Sequence, residues 1–129
     1  MSDLPPYHPR HSLARAFVCA GKGIREFVVN GRNAKWQLGC AALAIALAAV
    51  LKLTVVEWMI LIWTIGLVLS LEAMNTALER VVDLVSPQFH PLAGQAKDLA
   101  AGAVLIASFA AAVIGTILFL PKLLNFADL

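Results

Sequence analysis

Residues 99–120 run for 22 positions without a charged side chain. The hydrocarbon core of a bilayer is about 30 Å thick and takes about 20 consecutive apolar residues as one helix. In lipid, only helices and closed barrels satisfy their own backbone polar groups. A continuous apolar run of this length, without strand-like alternation, therefore commits the chain to an α-helical membrane fold. Composition agrees. The 129 residues are 60% hydrophobic and 14% charged, against roughly a quarter charged in soluble domains. The length fits a single domain. The net charge of +2 is too small to point to nucleic acid, so the placement of the charges carries the argument.

Residues 1–11 are polar and hold Pro5, Pro6 and Pro9, which reads as an irregular tail. They contain no apolar stretch of signal-peptide type, so no cleavage is expected. Ser12 is an expected N-cap. Beyond it, Leu13, Phe17, Ala20, Ile24, Phe27 and Val28 recur at spacings of three and four, with Arg15, Lys22, Arg25 and Glu26 among the remainder. That is an amphipathic, mostly basic helix over 12–29, of the kind that lies in a membrane interface. Gly21 and Gly23 weaken it and leave room for a close neighbour. Asn30, Gly31, Arg32 and Asn33 form a turn signal. Lys35 and Trp36 then mark an interface, and residues 36–51 are uncharged. A first span is expected over 34–52, with its alanines and Gly39 suited to helix packing. Cys19 and Cys40 sit 21 residues apart without a CxxC spacing, and read as two unpaired thiols.

Residues 58–71 are apolar but number only fourteen. They cannot span alone, so the second helix must run on through acidic residues, and is expected over 56–85. Pro87, Pro91 and Gly94 place a loop between it and the third span, expected over 95–120 and ended by Pro121 and Lys122. Alternating sides then group Arg10, Arg15, Lys22, Arg25, Arg32, Lys35, Arg80 and Lys97 on one face of the membrane, and Lys52 and Lys122 on the other. The positive-inside rule makes the first face cytoplasmic, with the N-terminus on that side.

The second helix carries the feature that points to chemistry. Glu72, Asn75, Glu79 and Asp83 are spaced three, four and four apart, which stacks them on one narrow face. Ionisable groups at membrane depth cost about 2.5–3.5 kcal/mol each at the helix centre. Three carboxylates together also repel, unless a cation sits among them or one holds a proton. Glu72 follows the apolar run and is the deepest; Asp83 lies nearest water. After the loop come His90, Lys97 and Asp98, near the start of the third helix. A helix N-terminus with a lysine favours phosphate. Carboxylate-held magnesium keeps waters and bridges substrate phosphates. Acids on one helix and Lys97 on the next can thus clamp a nucleotide triphosphate, without any Gly-rich Walker loop. A small channel or transporter subunit would also use Glu72 and Asn75, but gives the Lys97–Asp98 pair no purpose.

The run from Glu72 through Leu105 resembles the diagnostic region of the prokaryotic diacylglycerol kinase family, which includes undecaprenol kinases. The matching pattern is E-x-x-N-x-x-x-E-x-x-x-D, then H, then A-K-D, and the resemblance extends over about residues 12–122. The wording around "LVSPQFHPLAG" is more like that of undecaprenol kinases. The resemblance implies an all-α integral membrane fold with three transmembrane helices plus an N-terminal amphipathic interfacial helix, assembled as a homotrimer with active sites shared between chains. It implies transfer of the γ-phosphoryl group of MgATP to a lipid hydroxyl, undecaprenol or diacylglycerol, at the bacterial cytoplasmic (inner) membrane. By motif match, Glu72 takes the role of general base, Asn75 arranges the γ-phosphate region and Glu79 is the magnesium ligand. Gln88, Phe89, His90, Lys97 and Asp98 fall where the family contacts ATP, with Lys97 also neutralising charge during transfer. Three positions depart from the pattern: Ser12 and Cys19, where some relatives have a basic and an aromatic residue, and, more seriously, Gly31. Gly31 stands where the family has a second metal-binding glutamate, and Glu26 is the acid near enough in sequence to compensate. That departure keeps open an alternative, a catalytically impaired member that binds nucleotide or lipid.

Overall fold

The computed structural model describes residues 12–31 and 33–127. The tail expected over 1–11, and Arg32 of the expected turn, lie outside the described residues. The described chain is all helix: α1 (Leu13–Asn30), α2 (Ala34–Val50), α3 (Val55–Val85) and α4 (Pro91–Ala127). At 1.5 Å per residue, α3 and α4 are roughly 46 and 55 Å long, and α2 roughly 25 Å. α3 and α4 are each long and apolar enough to cross a membrane; the bent α1–α2 pair raises the number of candidate spans to three.

Each helix end has a local cause. Ser12 Oγ accepts the backbone N–H of Arg15 at 3.4 Å and opens α1. α3 begins with a capping box: Thr54 accepts from the Glu57 N–H, and the Glu57 carboxylate accepts from the Thr54 N–H at 2.7 Å. This T-x-x-E signal starts the helix at Val55. The turn between α2 and α3 is a Schellman closure, with the Leu53 N–H bonded to the Ala48 carbonyl and the Lys52 N–H to that of Ala49. It puts Lys52 at a positive φ of 51°. A lysine there costs about 1–2 kcal/mol that glycine would not, offset by burial of Leu53 in the adjoining cluster.

That cluster is the main apolar core. Ala48, Leu53, Leu61 and Leu118 are buried together, with Trp58, Ile65 and Phe119 packed on them. It ties α2, α3 and α4 at the end of the molecule away from the acidic stripe. Lys122 reinforces the same end through a 3.1 Å ion pair with Glu57. The helix that carries the expected third span is longer than that span at both ends. α4 neither starts at 95 nor stops at Pro121, but runs from Pro91 to Ala127. Pro91 occupies the first helical turn, where a missing N–H costs nothing. Pro121 forfeits one backbone hydrogen bond, yet the helix continues to Ala127, with Lys122 paired to Glu57. Among the described residues of the chain, nothing stands within 4 Å of an added Cβ at Gly21, Gly23 or Gly39. α2 is instead drawn in through Ala48, and farther along the helix an apolar cleft of about 470 Å³ opens between α2, α3 and α4.

α1 stands apart. It meets α2 at 97° and buries no residue. Leu13 is 78% exposed, and Phe17 and Ile24 are also exposed, so much of its apolar stripe is left uncovered within the chain.

Candidate functional site

The acidic stripe lies in the C-terminal half of α3, on the one face that its spacing requires. The structure adds its surroundings. Glu72 is 2% exposed and Asn75 7%, although this is a single chain in which most large apolar residues remain exposed. Among the described residues no basic side chain pairs with Glu72. Asn75 Nδ2 donates to Glu79 Oε1 at 3.4 Å, while Asn75 Oδ1 is buried without a partner. A buried acceptor left unpaired costs about 1–3 kcal/mol, so its persistence points to a ligand that completes it.

The stripe turns toward α4. Asp83, its outermost member, forms an ion pair with Lys97 Nζ. Lys97 thus sits beside the acids, in the second turn of α4 rather than at its first residue. Glu72 and Glu79 are seven residues apart, about 10 Å along the axis. The gradation is therefore physical: a buried carboxylate, an amide, a half-buried carboxylate, then a solvated ion pair.

His90 has a structural task as well as its expected place near nucleotide. Its Nδ1 accepts the Leu92 N–H at 3.2 Å, and its carbonyl accepts from Gly94. It caps α4, an assignment that the proline directly after it makes legible in retrospect. The Gln88 carbonyl accepts from Ser86 Oγ at 3.0 Å and closes the loop. Phe89 is 93% exposed, an aromatic face open to stacking. Asp98 is exposed beside Lys97.

Glu26 does not join Glu79. Its Oε1 accepts from Arg80 Nη2 and from Asn30 Nδ2, each at 2.9 Å. The Asn30 amide and then the Arg80 guanidinium hold its carboxyl below the usual glutamate range. The pair is charged throughout the neutral range. Its contribution is complete above the ordinary glutamate value and fades only as pH falls through the lowered one. Arg80 is thereby taken up by α1 and leaves the stripe to Lys97.

Gly31 is crowded. An added Cβ would stand 2.4 Å from the Phe27 carbonyl oxygen and 2.9 Å from Ala34 Cβ. A side chain here cannot be grafted without moving backbone. Gly31→Ala is expected to destabilise the fold by about 1–3 kcal/mol, the range for overpacking, read as a lowered Tm in detergent; an unchanged Tm would show that the turn yields freely. Among the described residues, no group of three or more His, Cys, Asp or Glu side chains could hold a metal ion. Glu79 and the free Asn75 Oδ1 are hard oxygen donors, too few for a protein-only cage. They fit a magnesium ion that brings phosphate and water ligands with it.

Comparison with known proteins gives the family of the chain. Residues 18–119 match the family model described as prokaryotic diacylglycerol kinase. The chain is 42% identical over 109 residues to an undecaprenol kinase of Bacillus subtilis strain 168, covering 84% of this chain and 89% of that protein. It is 41% identical over 115 residues to a diacylglycerol kinase of Synechocystis, covering 88% and 66%. A diacylglycerol kinase of Escherichia coli K12 is 34% identical over 97 residues, covering 75% and 80%.

Proposed function

Because the chain belongs to the prokaryotic diacylglycerol kinase family and is a lipid kinase, we propose that it transfers the γ-phosphoryl group of MgATP to the hydroxyl of a membrane lipid at the cytoplasmic interface. The observation that carries the reading is the stripe itself: a buried carboxylate at lipid depth, rising to a lysine-paired carboxylate at the water boundary. The lipid hydroxyl comes to Glu72, which takes its proton as the oxygen attacks the γ-phosphorus; the bond from that phosphorus to the β–γ bridging oxygen breaks, and ADP leaves with its electron pair. Asn75, with its free Oδ1, fixes the region between base and phosphate. Lys97 neutralises charge on the triphosphate, and Gln88, Phe89, His90 and Asp98 border the nucleotide. Glu79 holds the magnesium ion, which when bound neutralises phosphate charge. Phosphoryl transfer asks little else of a protein than positioning and charge stabilisation.

α1 lies in the cytoplasmic interface and α2, α3 and α4 span the inner membrane, with the N-terminus inside. A groove of about 740 Å³ runs between α1 and α3, lined by Ile24, Phe27, Leu69, Ala73, Met74 and Ala77 among others. It suits the acyl or prenyl chain of the acceptor. On a helical wheel, Ala73 and Ala77 stand roughly 100–140° around α3 from Glu72. Thr76, roughly 40° from Glu72, lines the groove too, so the groove reaches the edge of the stripe; the homotrimer with sites shared between neighbours rests on the family resemblance.

The acceptor is undecaprenol or diacylglycerol. The loop wording and the extensive match to the Bacillus protein favour undecaprenol. The test is transfer of γ-labelled phosphate from ATP to each lipid in mixed micelles, over a series of magnesium concentrations. We expect lipid-dependent, magnesium-dependent product, more with undecaprenol. Gly31 favours one other reading, a catalytically impaired member. Nucleotide binding without transfer to either lipid would establish that reading and overturn the first.

A further inference from the structure

α1 touches the rest of the molecule over a very short stretch. Between residues 12 and 30, only Glu26 and Phe27 are even half-buried. Phe27 packs on the apolar side of the α1–α3 groove, and Glu26 reaches Arg80, 54 residues later in the chain. Both members of that ion pair line the groove, whose other walls are largely apolar. The Asn30 amide fixes the Glu26 rotamer from within α1. A helix that buries nothing of its own is therefore secured against α3 by one ion pair and one ring.

We propose that the Glu26–Arg80 pair is a latch that sets α1 as the outer wall of the lipid groove, making both side chains positioning residues for the acceptor. The inference rests on the lipid-kinase reading for its substrate, but the latch itself is a property of the resting chain. With the pair intact, the groove presents a fixed apolar width closed by neutral, mutually satisfied charges. With it broken, α1 is left on Phe27 alone, and the wall swings on the turn before α2. The acceptor then meets a wider groove and an unpaired charge. The nucleotide side, built on α4 and a face of α3 roughly 60–100° around from Arg80, is not involved.

The test has two independent arms on the full chain. In the first, nitroxide labels on Cys19 and on Leu84→Cys, in a Cys40→Ser background, report the α1–α3 distance in nanodiscs. Arg80→Gln and Glu26→Gln should each broaden and lengthen that distribution. The exchanged pair, Glu26→Arg with Arg80→Glu, should restore it, because the Asn30 side chain can turn its carbonyl oxygen to an arginine. In the second arm, the same variants are assayed with undecaprenol and with a diacylglycerol. KM for the lipid should rise about two- to fivefold, the scale of an exposed ion pair, while KM for ATP stays put; exchange should return it. Unchanged distances in both single variants would overturn the latch. So would a matching rise in the KM for ATP, which would assign the pair to the nucleotide side. Absence of transfer in the unmodified chain would count against the lipid-kinase reading alone, with the distance arm still deciding the latch.

Discussion

Glu72→Gln is expected to lower lipid-dependent phosphoryl transfer by about 10²–10⁴-fold, the range for loss of a positioned general base. The substitution keeps the shape of the side chain and removes only its capacity to take a proton. That matters because Glu72 is 2% exposed, and a truncation would confound chemistry with a cavity. The loss should fall on kcat. KM for ATP should change little, since the base lies about 10 Å along α3 from Glu79 and farther from Asp83 and Lys97. Thermal stability should hold or rise, because a neutral amide costs less to bury than a carboxylate. Full activity in Glu72→Gln would sink the assignment of the base. Asn75 would then be the polar group deep enough to orient a hydroxyl, and an amide cannot accept its proton.

Much of this architecture is legible in the chain, for reasons that differ by element. The period-3.6 spacing of Glu72, Asn75, Glu79 and Asp83 dictates a shared face, whatever packs against it. The shortness of the 58–71 run forces the helix onward into the acids, because bilayer thickness leaves no alternative. The residues of the site follow from motif resemblance. Less legible is everything set by contact between distant segments. No local pattern links Glu26 to Arg80, and the bond removes from consideration the acid that sequence proximity offers as a substitute at Gly31. The start of α4 depends on His90 folding back as a cap, and beside Pro121 the helix is packed on α3 through the Lys122–Glu57 pair. Pro121, read locally, ends a helix; read with its neighbour's ion pair, it is one lost hydrogen bond. Gly31 is the sharpest case. In sequence it is a missing carboxylate, and in the fold it is also a crowded turn.

Lys97→Ala is expected to lower kcat/KM for MgATP by about 10²–10³-fold, comparable to removing one preorganised charge donor from a transition state. The structure gives a reason for an effect of that size. Lys97 is the one cation among the described residues that pairs with the stripe. Without it, Asp83 faces an incoming triphosphate with no opposing side-chain charge, so ground-state repulsion adds to lost stabilisation in transfer. Both KM for ATP and kcat should therefore worsen, while KM for the lipid stays near its original value. Ionic strength separates the two contributions. Salt screens the exposed Asp83–phosphate repulsion more than interactions inside a closed site, so added salt should narrow the gap in KM between variant and original protein and leave the gap in kcat. Lys97→Arg should recover part of the binding loss but less of the rate, since a planar guanidinium does not reproduce a point charge on phosphate. A variant whose defect lies in lipid KM alone would place Lys97 outside the nucleotide site.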